Sequence, residues 1–515
     1  MNIRSTLFIG AAMSIISCKK TMDYSVVEQD GENTVSNLSM ARAKEDHRSF
    51  VEIGSIDIGN AGAAEISAYD PKTQRLFVVN NSGTSTIDVL DFHNPSQPTL
   101  IHKITINQYG GGVNSVDVSN GKLAAAIEGY NKTDNGKVAI FRTDDYSLVK
   151  EVTVGALPDM ITYSPDGKLI ITANEGEPND SYIIDPLGTV SIISVKDDYA
   201  VTTIDFSAFA SQQAELQAKG LRVFGPNASF AQDMEPEYVT VSEDSRTAWV
   251  TLQENNAIAK VDLVSKRITD IFPLGFKSYN SLNNSIDPSD RDGGVFFNQW
   301  PVYGMYQPDA IAVMVKKGIP YLFTANEGDA REYGAFAEMK RVSTLNLNAN
   351  AFPNAADLKT AAKLGRLNVT TTLGLGSDNT YHALYSLGAR SFSVWNGITG
   401  QLLFDSGNEL DKKAFQAGIY DDARSDDKGV EPEGITSGEV NKRTLAFIGL
   451  ERADAVAIYD VTNPVQPQFL QMLPTGDAPE GVLFISEKDS PIKRSLLVVS
   501  SENDGVIKVF MPSAL

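Results

Sequence analysis

The sequence predicts an all-β fold, namely a single β-propeller of seven or eight four-stranded blades, with eight favoured and with short helical insertions on one face. Three observations lead to this prediction. One pattern recurs at a spacing of roughly 40 residues, which is typical of propeller blades. Each copy holds about three runs rich in β-branched and aromatic residues, separated by turn residues. Apolar residues alternate with a period of two, which excludes a helical solenoid.

Eight copies of the pattern can be followed along the chain, and a fourth strand often follows each copy. Seven blades result if a weak copy shares strands with its neighbour. The strand at 50–58 precedes the first copy, and we expect it to close the ring as the fourth strand of the last blade, which hides two sheet edges. The copies occupy residues 64–92, 113–141, 157–195, 235–263, 307–347, 367–396, 431–461 and 478–510.

The first 49 residues do not fit the repeat. A basic start and a short apolar run lead into Ile15-Ile16-Ser17-Cys18, which resembles a bacterial lipobox, and Cys18 is the single cysteine of the chain. The apolar run is too short to span a bilayer. We therefore predict a lipoprotein signal peptide at 1–18 with lipid on Cys18, a flexible polar tether at 19–49 and the propeller at 50–515, on an outer-membrane lipoprotein of the bacterial cell envelope, either periplasmic or surface-exposed.

The net charge of the chain limits the classes of partner that it can bind. The net charge is −21, and nucleic acids and anionic lipid headgroups both demand cationic surfaces. We expect no nucleic-acid partner, membrane contact only through the lipid on Cys18, and a monomer. A protein, a glycan or a small molecule remains open as the ligand.

Acidic residues recur at two places in the repeat. One follows a proline at the start of the first strand, and another follows the second strand. Both places lie on the same face of an antiparallel blade, so we expect the two sets to converge on one rim. The first set comprises Asp159, Glu237, Asp309, Glu433 and Glu480, with Glu65 and Asn114 in the weak copies. The second set comprises Glu128, Glu175, Glu254, Glu327, Glu451 and Glu502, with Leu387 breaking the pattern in the sixth copy.

Crowded carboxylates protonate, splay apart or bind cations. Ca²⁺ suits them best because it takes oxygen ligands, so Ca²⁺ is the expected cofactor. Two alternatives stay open: the acids bond backbone amides and arginines such as Arg331, Arg390 and Arg452, or they bind or transform a substrate. The predicted metal ligands are Asp159, Glu175, Glu177, Asp180, Glu237, Asp309, Glu327, Asp329, Glu433 and Glu480.

Several segments resemble the choice-of-anchor I domain family, which is related to mesenchyme-specific cell-surface glycoproteins. The segments are 173–180, 325–329, 384–397, 429–435 and 476–484. The resemblance implies a propeller displayed outside the cell on varied anchors. The function we favour is an envelope-anchored binding or adhesion module that binds Ca²⁺. The alternative is a calcium-dependent phosphoesterase of the alkaline phosphatase type, with Arg331 and Lys340 as candidate phosphate ligands.

Overall fold

The computed structural model describes residues 44–515. These residues form seven four-stranded antiparallel sheets. We name them blades 1 to 7 and their strands A to D, from the inside outward. Blades 1 to 3 comprise Ser67–Asp70, Arg75–Asn80, Thr86–Asp91 and Thr99–Thr105; Val113–Ser119, Lys122–Ile127, Asn135–Arg142 and Leu148–Ala156; and Pro158–Tyr163, Leu169–Asn174, Thr189–Ser194 and Ala200–Asp205.

The remaining blades follow the same A to D order. Blades 4 to 7 comprise Pro236–Val241, Thr247–Leu252, Ala257–Asp262 and Arg267–Pro273; Ile311–Lys316, Ile319–Asn326, Ser391–Asn396 and Leu402–Asp405; Pro432–Val440, Arg443–Leu450, Ala455–Asp460 and Gln468–Pro474; and Pro479–Ile485, Leu496–Ser501, Val506–Ala514 and Glu45–Asp57.

The blades close into one ring around a central channel. The A strand of each blade contacts the A strands of the two neighbouring blades, and those of blades 7 and 1 complete the circle. Hydrophobic clusters of buried side chains lie between neighbouring blades, one at each of the seven interfaces. This arrangement is a β-propeller, as the repeat predicted.

The favoured count of eight blades is wrong, and the described residues form seven. Copies 307–347 and 367–396 contribute to one sheet, because strand C of blade 5 is Ser391–Asn396 and pairs directly with strand B, Ile319–Asn326. The segment expected to supply the third strand of the earlier copy instead holds the short 3₁₀ helix Val342–Thr344. Residues 327–390 are therefore a single long connection within blade 5.

The ring closes as predicted, by pairing the start of the propeller with its end. Strand Glu45–Asp57 runs antiparallel to Val506–Ala514 as strand D of blade 7. It begins five residues before the expected start at residue 50, so residues 45–49 belong to the sheet and not to the tether. The signal peptide, Cys18 and the rest of the tether up to residue 43 lie outside the described residues.

A substitution in the closing strand tests this closure. Phe50 is 2% exposed and its ring meets Phe447 of blade 6 edge-on, with centroids 5.4 Å apart. We expect Phe50→Leu to lower the free energy of unfolding by about 2 kcal/mol through lost apolar burial, measured by urea denaturation. The neighbouring Val51 is 45% exposed, so Val51→Ala is the matched control. Equal effects of the two changes would contradict the pairing.

The long connections gather on one face, as predicted. The B–C and D–A connections of an antiparallel blade lie on the same face, and this face carries residues 207–234, 276–306, 327–390 and 409–429. The first of these connections forms the 3₁₀ helix Ser207–Gln212 and the α-helix Gln213–Ala218, in agreement with the expected helical insertions. The other helices are Leu282–Asn284, Ala355–Leu358, Leu364–Arg366, Glu409–Ala417, Asp422–Arg424 and Glu451–Ala453.

Two of these connections share a small hydrophobic core of their own. Tyr279, Ile286 and Val302 lie in the connection 276–306. They pack with Val342, Leu364 and their neighbours in the connection 327–390. Three small sheets also form within these two connections. Their strands are Phe276–Ser278, Tyr303–Met305 and Tyr385–Ser386; Glu332–Tyr333 and Phe336–Ala337; and Met339–Arg341 and Asn368–Thr370.

Candidate functional site

The mouth of the central channel on this face is an acidic cavity of about 380 Å³. Each blade supplies one side chain from the start of its A strand, and we call these seven residues the inner ring. All of them except Glu65 line the cavity. The inner ring comprises Glu65, Asn114, Asp159, Glu237, Asp309, Glu433 and Glu480.

A recurring β-bulge places the inner-ring side chains. In blade 3, Pro158 pairs with Asn174 but Met160 pairs with Ala173, so Asp159 has no partner in the ladder. The same irregularity occurs at the start of strand A in blades 2, 4, 6 and 7. A bulge re-aims a side chain that the two-residue period of a strand would direct elsewhere. The repeated bulge is the local reason that these side chains share the channel.

Backbone strain recurs at the same place. In blades 3, 5, 6 and 7 the residue before the proline has a left-handed φ, although none is glycine: 46° at Leu157, 40° at Gln307, 50° at Glu431 and 56° at Ala478. Such conformations cost of order 1–3 kcal/mol each and persist where surrounding structure holds them, often at functional sites. The sequence signal for them is only the proline itself, so they were not predicted.

Five of the inner-ring carboxylates have no partner. Within residues 44–515, no hydrogen bond or ion pair reaches the side chains of Asp159, Glu237, Asp309, Glu433 or Glu480. The Oε2 atoms of Glu433 and Glu480 are fully buried. The remaining acid, Glu65, accepts from Asn81 Nδ2 at 2.9 Å. The expected alternative, in which amides and arginines neutralise this set, does not describe these five.

Burial and mutual repulsion raise the pKa of these carboxyls. Burial comes first for each, followed by the charge of nearby carboxylates. The pKa of Asp159 rises to about 7, with Glu177 and Glu128 as its repelling neighbours. Burial raises the pKa of Glu237, Asp309, Glu433 and Glu480 well above the ordinary range. Burial and mutual repulsion therefore favour the protonated form of these carboxyls over the charged form.

A second set of side chains, the outer ring, follows the B strands. In blade 4 strand B ends at Leu252, so Gln253 and not Glu254 occupies the outer ring, which corrects the prediction. The predicted break at Leu387 disappears because copies five and six form one blade. The outer ring comprises Asn81, Glu128, Glu175, Gln253, Glu327, Glu451 and Glu502.

The outer ring differs from the inner ring because several of its members are paired. Lys428 Nζ lies 2.5 Å from Glu327 Oε1, and Gln253 Nε2 donates to Glu327 Oε2 at 3.0 Å. Arg452 lies 2.8 Å from Glu451.

The structure brings seven of the ten predicted ligands into the cavity lining: Asp159, Glu237, Asp309, Glu327, Asp329, Glu433 and Glu480. The other three lie outside that lining. Glu175 is 8% exposed, Glu177 lies 3.5 Å from Lys132, and Asp180 accepts a hydrogen bond from the Gly334 amide at 2.6 Å.

Most of the basic residues considered from the sequence do not pair with the predicted rim acids. Arg331 is buried and pairs with Asp233 and Glu235, and Arg390 donates to backbone carbonyls, including that of Ser425 at 2.7 Å. Arg452 alone of the three arginines pairs with a predicted rim acid. Lys340 is exposed and lies outside the cavity lining.

Sequence reasoning missed Glu431. Oxygens of Glu327, Glu431 and Glu451 lie within 4.8 Å of one another, a spacing that could hold a metal ion. Glu431 directly precedes a proline–acid pair, and its counterpart in blade 4, Glu235, is also acidic. The counterparts in the other copies with this pair, Leu157, Gln307 and Ala478, are not acidic, so the position was not recognised.

Comparisons with known proteins bear on the family. Gigasin-3a of Magallana gigas is 28% identical over 183 residues, which cover 29% of this chain and 64% of that protein. The mesenchyme-specific cell surface glycoprotein of Strongylocentrotus purpuratus is 24% identical over 317 residues, covering 51% of this chain and 40% of that protein. The match therefore spans less than two thirds of either relative.

Two solved structures resemble the chain over most of its length. Hydrazine synthase of Kuenenia stuttgartiensis gives a TM-score of 0.47 at 12% identity, covering 89% of this chain and 98% of that one. The Swd1 β-propeller domain of Myceliophteria thermophila gives 0.46 at 8% identity, covering 90% and 100%. The propeller assignment rests on the seven sheets and not on these scores.

The part of the chain that the structure describes has no helix with the length and apolar character needed to cross a membrane. The sequence profile of the choice-of-anchor I domain matches residues 65–464, which include blades 1 to 5 and most of blade 6. The chain therefore belongs to the choice-of-anchor I domain family.

Proposed function

We propose that this protein is a surface-associated binding module that holds Ca²⁺ in the cavity of its inner ring. The observation that carries the proposal is the set of five carboxylates without partners. Burying ionisable groups without partners is costly, and bulges in five blades and strained residues in four place these groups together at the channel. A bound cation offsets it.

Ca²⁺ fits the chemistry of the lining better than a transition metal. Ca²⁺ takes 6–8 oxygen ligands from carboxylates, amides, carbonyls and water. The cavity lining contains carboxylates and the amides of Asn114 and Gln253, but neither histidine nor cysteine. Softer metals prefer nitrogen and sulfur ligands. The phosphoesterase alternative gains no support, because its candidate Arg331 is held by Asp233 and Glu235.

The proposal includes the anchor. The lipobox-like Ile15–Cys18 supports lipid on Cys18 and a place on the bacterial outer membrane, and the Strongylocentrotus purpuratus relative is named as a cell surface glycoprotein. The ligand beyond Ca²⁺ would be a protein, a glycan or a small molecule. Incorporation of labelled palmitate, lost on Cys18→Ala, is the direct test of the anchor.

Titration of Ca²⁺ into chelator-treated protein tests the cavity. We expect saturable binding and a rise in melting temperature, both strongly reduced in the double variant Glu433→Gln/Glu480→Gln, since the amides keep the shape but lose the charge. Glu215→Gln is the matched control, because Glu215 lies on the exposed helix Gln213–Ala218 with 69% of its side chain accessible. Absence of both heat and thermal shift in the unaltered protein would refute Ca²⁺ binding.

A further inference from the structure

A lysine side chain enters the acidic cavity from the connection between blades 5 and 6. Lys428 lines the cavity, and its Nζ lies 2.5 Å from Glu327 Oε1 and 3.3 Å from Glu431 Oε2. Its ammonium thus contacts two of the three carboxylates whose oxygens lie within 4.8 Å of one another, the third being Glu451. A cation of this chain already occupies a position with the ligand spacing of a metal.

The carboxylate at the centre of this cluster is poorly satisfied. Glu431 is 0% exposed, and its Oε2 has no hydrogen-bond partner. Arg452 Nε lies 3.5 Å from that oxygen, also without a hydrogen bond. Only Oε1 is well paired, with Arg424 at 2.5 Å. An oxygen that is buried, charged and held by contacts of 3.3–3.5 Å retains the capacity to ligate an ion.

The positive charge of the cluster depends on the lysine. Glu327, Glu431 and Glu451 face Lys428, Arg424 and Arg452, and Arg424 also pairs with Asp427. Removing the ammonium of Lys428 therefore increases the excess of negative charge and frees two oxygens for a ligand. A divalent cation that entered with the lysine still in place would instead face an added positive charge a few ångströms away.

We propose that Lys428 is a built-in counter-ion that occupies a second cation position, formed by Glu327, Glu431 and Glu451 beside the inner ring. The lysine thereby limits how many Ca²⁺ ions the cavity takes. This inference rests on the proposed Ca²⁺ binding by the inner ring and specifies how that site is regulated.

The segment that carries the lysine is held independently of its ammonium. Arg390 donates to the carbonyls of Ser425 and Asp427 at 2.7 and 2.9 Å, and the Gly429 amide donates to the Arg424 carbonyl at 3.0 Å. We therefore expect Lys428→Met to keep the backbone and the three carboxylates in place. This makes the variant a test of charge and not of folding.

The experiment is calorimetric titration of Ca²⁺ into the chelator-treated protein and the variants Lys428→Met, Lys428→Arg and Lys219→Met. We expect one additional Ca²⁺ ion per molecule in Lys428→Met and the unaltered number in Lys428→Arg, which keeps the charge. Lys219→Met is the control, because Lys219 forms an exposed ion pair with Glu215 outside the cavity lining. The melting temperature of Lys428→Met should fall in chelator and recover with Ca²⁺.

The outcomes separate the two proposals. If the unaltered protein binds Ca²⁺ and Lys428→Met binds the same number with the same affinity, the counter-ion role is overturned while the inner-ring site stands. If Lys428→Met binds one ion and the unaltered protein none, the counter-ion role stands and the inner-ring site falls. If neither binds, both fail. Should Lys428→Met not fold, the same titration with Lys428→Gln decides by the same criteria.

Discussion

Without divalent cations, the protein should lose several kcal/mol of stability as the pH rises from about 5 to about 8. The sign follows from the inner ring. In the unfolded chain its carboxyls ionise near their ordinary pKa of about 4. In the folded protein burial keeps the pKa of Asp159 near 7 and that of Glu65 near 8. The folded state therefore binds more protons in this window, and stability falls as they are released.

The size of the predicted loss of stability follows from how far the pKa values rise on folding. A pKa that rises by about three in a single isolated carboxyl changes the free energy of unfolding by about 4 kcal/mol. Because the ring carboxyls repel one another, their contributions do not simply add. Carboxyls with a lowered pKa have the opposite effect on stability, but they titrate below pH 5. Hydrogen bonds lower the pKa of Asp46, Asp166 and Asp378 to about 2.

Urea denaturation across the pH range in chelator measures this slope. Glu433→Gln/Glu480→Gln should reduce this slope, because the two amides no longer titrate while Asp159 and Glu65 still do, whereas Glu215→Gln should leave it unchanged. Saturating Ca²⁺ should also flatten it, since the metal stabilises the ionised ring. A stability that stays level or rises between these pH values in chelator would mean that the inner ring is solvated and not desolvated.

Features inside the repeat could be predicted from the sequence. The inner ring was predictable because a proline–acid pair occurs at the same place in five copies, and Glu65 and Asn114 occupy that place in the two weak copies. The closing strand was predictable because an alternating run at 50–58 had no partner nearby. In contrast, the count of eight blades failed because the sixth copy, 367–396, supplies only one strand of a blade, Ser391–Asn396 of blade 5.

Features outside the repeat could not be predicted. Lys428 comes from a connection that has no counterpart in other blades, so no periodicity marked it. Glu431 precedes the proline of strand A, and only one of its counterparts, Glu235, is also acidic. The β-bulge at Asp159 depends on register between two strands, which alternation alone does not specify at a strand end. The strained φ of Leu157 likewise depends on how the chain enters the inner strand.

The second large effect should come from a buried arginine that joins two of the long connections. Arg331 lies beside Asp233 at 2.5 Å and Glu235 at 2.8 Å, and its side chain is 1% exposed. Its guanidinium lies 4.4 Å from the ring centroid of Phe224, and that of Arg222 lies 3.9 Å from the same centroid. Arg222 in turn pairs with Glu338. The network fixes residues 207–234 against residues 327–390, the long connection within blade 5.

Arg331→Met should lower the free energy of unfolding by about 3–5 kcal/mol, because it leaves two buried carboxylates without their cation. Adding Asp233→Asn and Glu235→Gln should recover part of the loss, since the uncompensated charges are then gone. Lys219→Met, which breaks the exposed pair with Glu215, should leave the urea midpoint unchanged. If Arg331→Met and Lys219→Met had the same effect, the arginine would be a solvated surface residue.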